Sequence, residues 1–451
     1  MRQKFENCFQ FSFFDSEKSL PNTVREYRQE YRKISNILSE TPKIMDIIHP
    51  ELETLNKSDK GRASTFSSES LFRALLIKQR EGIDYREACI RISESEFLKD
   101  FCKFSKKIGI DYSLLCKAFN AISPESWQVV NQMLAFASIK NQTLDVSCIR
   151  ADSTVVETNI HWPTDASLLW DSYRVIARIL SQMQAINGLP FSYRFHVKKI
   201  KSLHLFVTRY ASSSSKKRQK QVKKKMIKLL KRVSQALKNS KETLLIQSSG
   251  TSFDTHKNEL MSFIPSIEAV ISCAKRRWVD GEQVPVEDKV FSIFEPHTEL
   301  IQRGRRGKPI EFGHKIVLNQ ANGKFITGYQ VLEDKIDDRS LLESVIEQHE
   351  DYYGSKPIAL AADMGFRPDN DTYSELCEVI EFLKIPQGSR DYADPFLASA
   401  QYFRAGIEGT ISCLKRAFRL SRCFFKGFKN FSSAVGSAIF CHNLTVLVRI
   451  A

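Results

Sequence analysis

The amino-acid sequence predicts a mixed α/β fold, in which a helical N-terminal domain precedes a mixed β-sheet core that carries a helical, basic insertion. Helix start signals repeat over residues 22–138, strand-like alternation appears at 144–152 and returns after 289, and the intervening chain is helical and rich in lysine. We therefore expect residues 1–140 to form the helical domain, 141–162 and 283–451 the sheet core, and 163–282 the insertion.

The amino-acid composition indicates which kinds of molecule the protein can bind. The chain has 451 residues and a net charge of +15, and 42% of its residues are hydrophobic. This hydrophobic fraction excludes global disorder, while the positive charge favours nucleic acid or an anionic membrane surface as partner. Ten cysteines without a Cys-x-x-Cys pair are typical of buried apolar side chains in a reducing compartment, so we expect a cytoplasmic protein.

Capping signals locate helices in the N-terminal domain. Asp84 with Glu87 fits a capping box, Asp111 can cap the segment up to residue 119, and Ser123 precedes a first-turn proline, Pro124. Compact domains of short helices often bind DNA, and we predict that role for residues 1–140. Helical packing alone would explain the same apolar stripes.

The predicted insertion contains an unusually basic helix. Residues 216–232 include ten Lys or Arg and no acid, and apolar residues recur among them at helical spacing. One face of this helix can pack while the other presents its cations, either to solvent or to a row of phosphates. On the second interpretation Lys223, Lys224 and Lys225 bind DNA.

The pattern after the insertion predicts a mixed sheet covered by helices. Strands are expected at 289–294, 311–319, 324–332, 358–362 and 379–383, and helices at 339–348, 399–418 and 433–448. Asn322-Gly323 supplies a hairpin turn between the second and third of these strands. The last helix is apolar, but His442 and Asn443 within it favour a buried core helix over a membrane span, so no membrane partner is expected.

Two predicted strands deliver a carboxylate at their C-terminal ends. Asp152 follows the strand at 144–152, and Asp363 follows the apolar run at 358–362. Ligands of open α/β sheets bind at the carboxyl ends of strands, so these two acids are well placed to share a metal ion. Turn formation or helix capping is the alternative for either acid alone.

A third acid lies on the helix that begins near residue 399. At about 100° per residue, Arg404, Glu408 and Lys415 fall within about 40° of one another around the helix axis. An ordinary i, i+4 ion pair would explain Arg404 and Glu408. It would not explain why Gly406 and Gly409 leave the same turns without side chains.

These residues resemble the motif of the DDE transposases of bacterial insertion sequences. The resemblance depends on the order Asp152, Asp363, Glu408, on the Asp-Met-Gly-Phe segment after the second strand, and on the spacing Arg404-x3-Glu408-x6-Lys415. It covers most of the chain, from the helical N-terminal region to the closing His-Asn-Leu-Thr-Val-Leu-Val helix. Many members carry Tyr three residues before the Arg, where this sequence has Gln401.

The resemblance implies a ribonuclease-H-like catalytic core and metal-dependent DNA chemistry. Asp152, Asp363 and Glu408 would be both catalytic residues and ligands of two Mg²⁺ or Mn²⁺ ions, since these cations prefer oxygen ligands. Asp152 would bridge the two ions, roughly 4 Å apart, during in-line displacement at a phosphodiester. Arg404 and Lys415 would hold phosphates near the cleaved end.

The resemblance also implies the partners and the place of action. Water would cut double-stranded DNA at the terminal inverted repeats, and the exposed 3′-hydroxyl would attack target DNA. Pairing two element ends calls for a dimer in a DNA synaptic complex, associated with the nucleoid in the cytoplasm. A nuclease of the same fold without strand transfer, and a non-catalytic DNA-binding regulator, are the alternatives.

Three further features of the sequence bear on this chemistry. The segment 303–308 contributes a second basic cluster, in which Arg305, Arg306 and Lys308 can approach a DNA backbone closely because glycines separate them. His314 lies near the metals or is an ordinary hydrogen-bonded strand histidine, and we favour the latter. Trp162 stacks on an extruded base or packs in the core, and we favour the core.

Overall fold

The computed structural model of the chain describes residues 3–4, 20–56, 64–104, 109–186, 192–246, 250–302, 309–387 and 395–450. Its fold is mixed α/β, which confirms the predicted class. The chain divides into two compact units, the first made of Met1–Glu157 and His314–Ala451 and the second of Thr158–Gly313. The first unit is therefore discontinuous in sequence.

Helices dominate the described chain, and side-chain caps fix where several of them begin. Asp84, Asp111 and Ser123 each accept a hydrogen bond from a backbone N–H in the first turn of the following helix, as predicted. The helices are α1 (Asn22–Glu40), α2 (Ile44–Glu53), α3 (Ser68–Arg80), α4 (Tyr85–Glu94), α5 (Glu96–Phe101), α6 (Tyr112–Ala121), α7 (Pro124–Lys140), α8 (Asp165–Gln184), α9 (Val197–Tyr210), α10 (Lys216–Leu244), α11 (Thr251–Lys275), α12 (Leu341–Tyr353), α13 (Asn370–Val379), α14 (Pro395–Arg416) and α15 (Phe428–Ile450).

The C-terminal helix α15 shares one hydrophobic core with α3 and α7 of the first unit. Gly436 permits this close packing, because a Cβ there would lie 2.6 Å from Cβ of Trp127 and 2.5 Å from the Tyr329 hydroxyl. Among the described residues, α15 alone is long and apolar enough to cross a membrane, and 94% of that apolar window is buried within the protein. The structure thus has a buried core helix where one was predicted at 433–448.

The first unit also contains most of a mixed sheet. Strand β1 runs parallel to β5, and β5 runs parallel to β6, whereas β3 and β4 form the antiparallel hairpin predicted around Asn322-Gly323. The spatial order is β3-β1-β5-β6, with β4 paired to β3 and β7 paired to β1. The strands are β1 (Cys148–Thr158), β2 (Glu299–Gln302), β3 (Ile310–Ala321), β4 (Ile326–Val331), β5 (Ala359–Ala362), β6 (Phe382–Lys384) and β7 (Arg422–Cys423).

Two predicted strands have different limits in the structure. Strand β1 begins at Cys148, not at residue 144, and continues six residues beyond Asp152. The continuation is favoured by Thr154, Val155 and Val156, since β-branched residues fit an extended backbone. The strand expected at 379–383 begins only at Phe382, because Val379 still belongs to α13.

The second unit packs α8, α9, α10 and α11 around its own hydrophobic core. Helices lie where the insertion was expected, at 163–282, and α10 covers the whole basic run. The compact unit that contains them extends over Thr158–Gly313. The prediction of a strand at 289–294 was wrong, because these residues are irregular. The next strand in the chain is β2, which pairs with the first residues of β3. The period-two pattern has another cause, because Phe291 and Ile293 are buried without joining a sheet.

Candidate active site

The sheet of the first unit brings Asp152 and Asp363 side by side. Parallel strands β1 and β5 pair Ala151 with Ala362, and the two acids occupy the next position along each strand. Neighbouring strands lie about 4.8 Å apart, so the backbones that carry the two carboxylates are adjacent. The Asp152 carboxylate accepts a hydrogen bond from the Ser153 N–H at 2.7 Å, and that of Asp363 accepts one from the Met364 N–H at 2.8 Å.

Helix α14 contributes Arg404 and Glu408 to the same edge of the sheet. The Arg404 guanidinium lies 3.4 Å from Oδ2 of Asp152 through Nη1 and 3.1 Å from Oε1 of Glu408 through Nη2. The i, i+4 pair considered from the sequence therefore exists. It is one half of a bridge that also reaches β1.

Gln401 connects this bridge to the second strand. Its side-chain oxygen accepts a hydrogen bond from Arg404 Nε at 3.1 Å, and its side-chain nitrogen donates to the carbonyl of Ala362 at 3.4 Å. Ala362 directly precedes Asp363. The residue that departs from the family's Tyr thus links the Arg404 side chain to the strand that carries the second acid.

The electrostatics of the site centre on Asp152. Burial raises its pKa to about 6; the Ser153 hydrogen bond and the Arg404 charge oppose this rise, while the charges of Asp363 and Glu408 add to it. The Asp152 side chain is 17% exposed and that of Glu408 is 65% exposed. The charges of Asp363 and Glu408 thus repel the negative charge of Asp152, and the charge of Arg404 attracts it.

Oxygen donors of this kind suit a hard divalent cation. The mutual repulsion that acts on Asp152 is what such a cation would relieve, so the donor chemistry fits Mg²⁺ or Mn²⁺. Among the residues that the structure describes, no three His, Cys, Asp or Glu side chains stand close enough together to enclose an ion. The Arg404 guanidinium joins Asp152 to Glu408.

Two residues near the acids had not been singled out from the sequence. Asp338, in a short 3-10 turn, pairs with Lys315 Nζ on β3 at 2.8 Å and lies 3.4 Å from the hydroxyl of Ser153. Nothing in the local sequence indicated this, since Asp338 stands among several other charged residues. Its position beside Ser153, the neighbour of Asp152, comes from the tertiary fold.

Arg150 was also missed, although its sequence carries a signal. It is a cation inside an apolar strand, two residues before Asp152, and it is buried in the structure. Its Nη1 donates to the carbonyl of Phe403 on α14 at 2.5 Å, and its guanidinium lies over the Phe403 ring at 4.7 Å from the centroid.

The predicted DNA-binding residues lie in several parts of the chain. Lys415 is half-buried in the last turn of α14 in the first unit. Lys223 and Lys224 are exposed on α10 in the second unit, whereas Lys225 lies over the Phe206 ring at 4.3 Å. The remaining predicted contacts, Arg305, Arg306 and Lys308, lie outside the described residues.

His314 is buried, as predicted, whereas Trp162 is more exposed than predicted. The His314 ring is fully buried, contacts the Leu332 carbonyl at 3.0 Å through Nδ1 and packs against Phe428, as expected of a structural strand histidine. Trp162 was predicted to be a core aromatic, and this was wrong: 65% of it is exposed, because it lies in an irregular segment after β1 and meets Phe312 only edge-on.

The described site thus consists of an ion-paired cluster of Asp152, Arg404 and Glu408, with Asp363 directly after the neighbouring strand β5. It lies entirely in the first unit. Comparison of the chain with models of protein families, with curated proteins and with solved structures finds no match.

Proposed function

We propose that this chain is a DDE transposase of a bacterial insertion sequence, with a ribonuclease-H-like core that cuts DNA at the element ends and joins them to target DNA. The observation that carries the proposal is the convergence of three acids distant in sequence. Asp152 on β1 and Asp363 directly after β5 each follow one residue of the paired Ala151 and Ala362, and Glu408 is tied to Asp152 through Arg404.

Asp152, Asp363 and Glu408 would together hold two Mg²⁺ or Mn²⁺ ions. Bound ions would supply activation of the attacking oxygen and stabilisation of the leaving oxygen at a phosphodiester. Arg404 would then be released from its contact with Asp152 and become available to a DNA phosphate. The proposal needs no covalent protein–DNA intermediate.

The charge of the chain supports DNA as the substrate. The net charge is +15, and α10 alone presents Lys223, Lys224 and further lysines to solvent. Cations in such number attract a polyphosphate backbone without regard to base sequence. Cutting two ends and joining them to one target would require two copies of the chain, and we propose a dimer that forms on DNA.

A cleavage assay tests the proposal most directly. The substrate is a duplex that contains the DNA flanking the coding sequence on both sides, with Mg²⁺ and a second, unlabelled target duplex. The wild-type protein should nick the ends and give joined products. Asp363→Asn should bind the duplex with unchanged affinity and lose cleavage by about 100-fold or more, because one ion ligand is lost.

The matched control is Asp371→Asn, an exposed acid on α13 that takes no part in the site. It should cut and join at the wild-type rate. Cleavage without joined products would favour the nuclease of the same fold, and binding without cleavage would favour the regulator. Normal cleavage by Asp363→Asn would contradict the assignment of the three acids.

A further inference from the structure

The guanidinium of Arg150 lies between the sheet and helix α14 of the first unit. Arg150 is 6% exposed, and the partners described for it on α14 are the Phe403 carbonyl and the Phe403 ring. Burying a cation is unfavourable unless its N–H groups find acceptors. An apolar side chain would fill this space without the desolvation cost of a buried cation. The advantage of Arg150 must therefore lie in the five directed N–H groups of its guanidinium.

Gly406 leaves the space that the guanidinium occupies. A Cβ at position 406 would lie 2.8 Å from Cζ of Arg150 and even closer to Nη1. Gly409, one turn further along α14, would place its Cβ in open space with no atom within 4 Å. The absence of a side chain is therefore a steric requirement at 406 and not at 409.

Gln320 on β3 extends the contact to the next turn of the helix. With its amide oriented to satisfy both neighbours, the Gln320 oxygen accepts from Nε of Arg150 at 2.8 Å and from Nη2, and its nitrogen donates to Oγ1 of Thr410 at 2.7 Å. Gln320 and Thr410 are both buried. Strands β1 and β3 thus hold α14 at positions 403, 406 and 410.

These three positions flank Arg404 and Glu408 on the same turns of α14. We infer that Arg150 is a positioning residue of the proposed active site: it fixes the rotation and register of α14 on the sheet, so that Arg404 and Glu408 face Asp152. This inference rests on the proposed function. Hydrogen bonds fix a helix in one orientation, whereas an apolar contact of equal area would let it rotate or slide.

The first test measures hydrogen exchange of α14 in the full-length, metal-free protein. Arg150→Met and Gly406→Ala should each increase the exchange rates of α14 amides at least tenfold and leave those of α7 unchanged. Gly409→Ala, the matched control, should leave exchange in α14 at or below the wild-type rate. Wild-type exchange in Arg150→Met, or equal effects of the two glycine variants, would overturn the inference.

The second test separates positioning from simple packing. Gly406→Ala should lower the affinity for Mn²⁺, measured by calorimetry, at least tenfold. Adding Arg150→Met makes room for the new methyl group and should restore the unfolding temperature to that of Arg150→Met alone. The Mn²⁺ affinity should stay low, because the directed contacts are still missing.

Recovery of the Mn²⁺ affinity together with the unfolding temperature would show a packing role only and would overturn the inference. The two hypotheses fail separately. A wild-type protein that binds no Mn²⁺ would contradict the proposed function, while the exchange rates of α14 would still decide whether Arg150 positions the helix.

Discussion

Asp152 is the most buried of the three acids. Its side chain is 17% exposed, and burial raises its pKa to about 6, although Arg404 lies 3.4 Å away. Glu408 keeps 65% of its side chain exposed and Asp363 is also exposed, so solvent screens their charges. The negative charge at Asp152 is therefore a source of instability in the metal-free protein.

This instability can be measured through its pH dependence. The folded pKa of about 6 lies above the ordinary value of 3.8, so the folded state holds this proton more tightly than the unfolded chain. The associated stability is fully present below pH 3.8 and is lost as the pH rises through 6. Asp152→Asn should accordingly raise the free energy of unfolding at pH 8 by about 2 kcal/mol, and by much less at pH 4.

Denaturant titrations of the metal-free protein at the two pH values check this expectation. Asp145→Asn is a control of opposite sign, since hydrogen bonds from Ser147 lower the pKa of Asp145. It should destabilise the protein at pH 8 and by nearly as much at pH 4, because this carboxylate loses its contribution only once the pH falls through the lowered pKa. Equal gains from Asp152→Asn at pH 4 and pH 8 would mean that the Asp152 charge is not the source of the effect.

At the scale of elements, helices α14 and α15 illustrate different uses of glycine. Helix α14 needs Gly406 to admit a side chain from β1, whereas α15 needs Gly436 to approach Trp127 and Tyr329. Trp127 is fully buried, so it has little freedom to move away. The core of the first unit therefore depends on the absence of a single methyl group on α15.

Gly436→Ala should lower the free energy of unfolding by about 1–3 kcal/mol or more, because overpacking outweighs the gain in helix propensity. Gly409→Ala is the matched comparison on a helix surface and should be neutral or stabilising by about 0.5–1 kcal/mol. Thermal unfolding of both variants checks the difference. A stable Gly436→Ala protein would mean that α15 and α7 can separate without loss.

The helices and the hairpin could be predicted because their signals are local. Examples are the capping residue Asp84, the turn at Asn322-Gly323 and the helical spacing of Arg404 and Glu408. Each of these signals is made by residues that lie within a few positions of one another. The pairing of Arg150 with Phe403 could not be predicted, because it joins positions 253 residues apart. The prediction of a strand at 289–294 was wrong because strand formation also depends on a distant partner, which the alternation pattern does not specify.

At the scale of the whole molecule, the positive charge is unevenly compensated along α10. Near the C-terminal end of this helix Lys238 pairs with Glu242 and Lys241 with Glu268. Residues 216–232 contain no acid, and both Lys223 and Lys224 are exposed. The first half of α10 is therefore the better candidate for contact with DNA phosphates.

The salt dependence of DNA affinity distinguishes the two halves. Each phosphate contact contributes about −0.9 to the slope of log K against log salt, so Lys223→Ala with Lys224→Ala should make the slope less steep by about 1.8. Lys225→Ala should change it less, since its ammonium already faces Phe206. The experiment is a salt titration of binding to a mixed-sequence duplex.

Lys238→Gln with Lys241→Gln is the matched control on the same helix. These lysines already have acidic partners, so their neutralisation should leave the slope close to that of the wild type. An unchanged slope after loss of Lys223 and Lys224 would mean that the first half of α10 faces solvent only.

The order in which the two units can fold during synthesis follows from the fact that the first unit is discontinuous in sequence. The second unit is one continuous segment, Thr158–Gly313, and can fold during synthesis. The first unit must wait, because α3 and α7 bury their apolar faces against α15, which follows the second unit in the sequence. Asp152 is thus synthesised before the second unit and Arg404 after it, so the two residues can pair only once the second unit has been made.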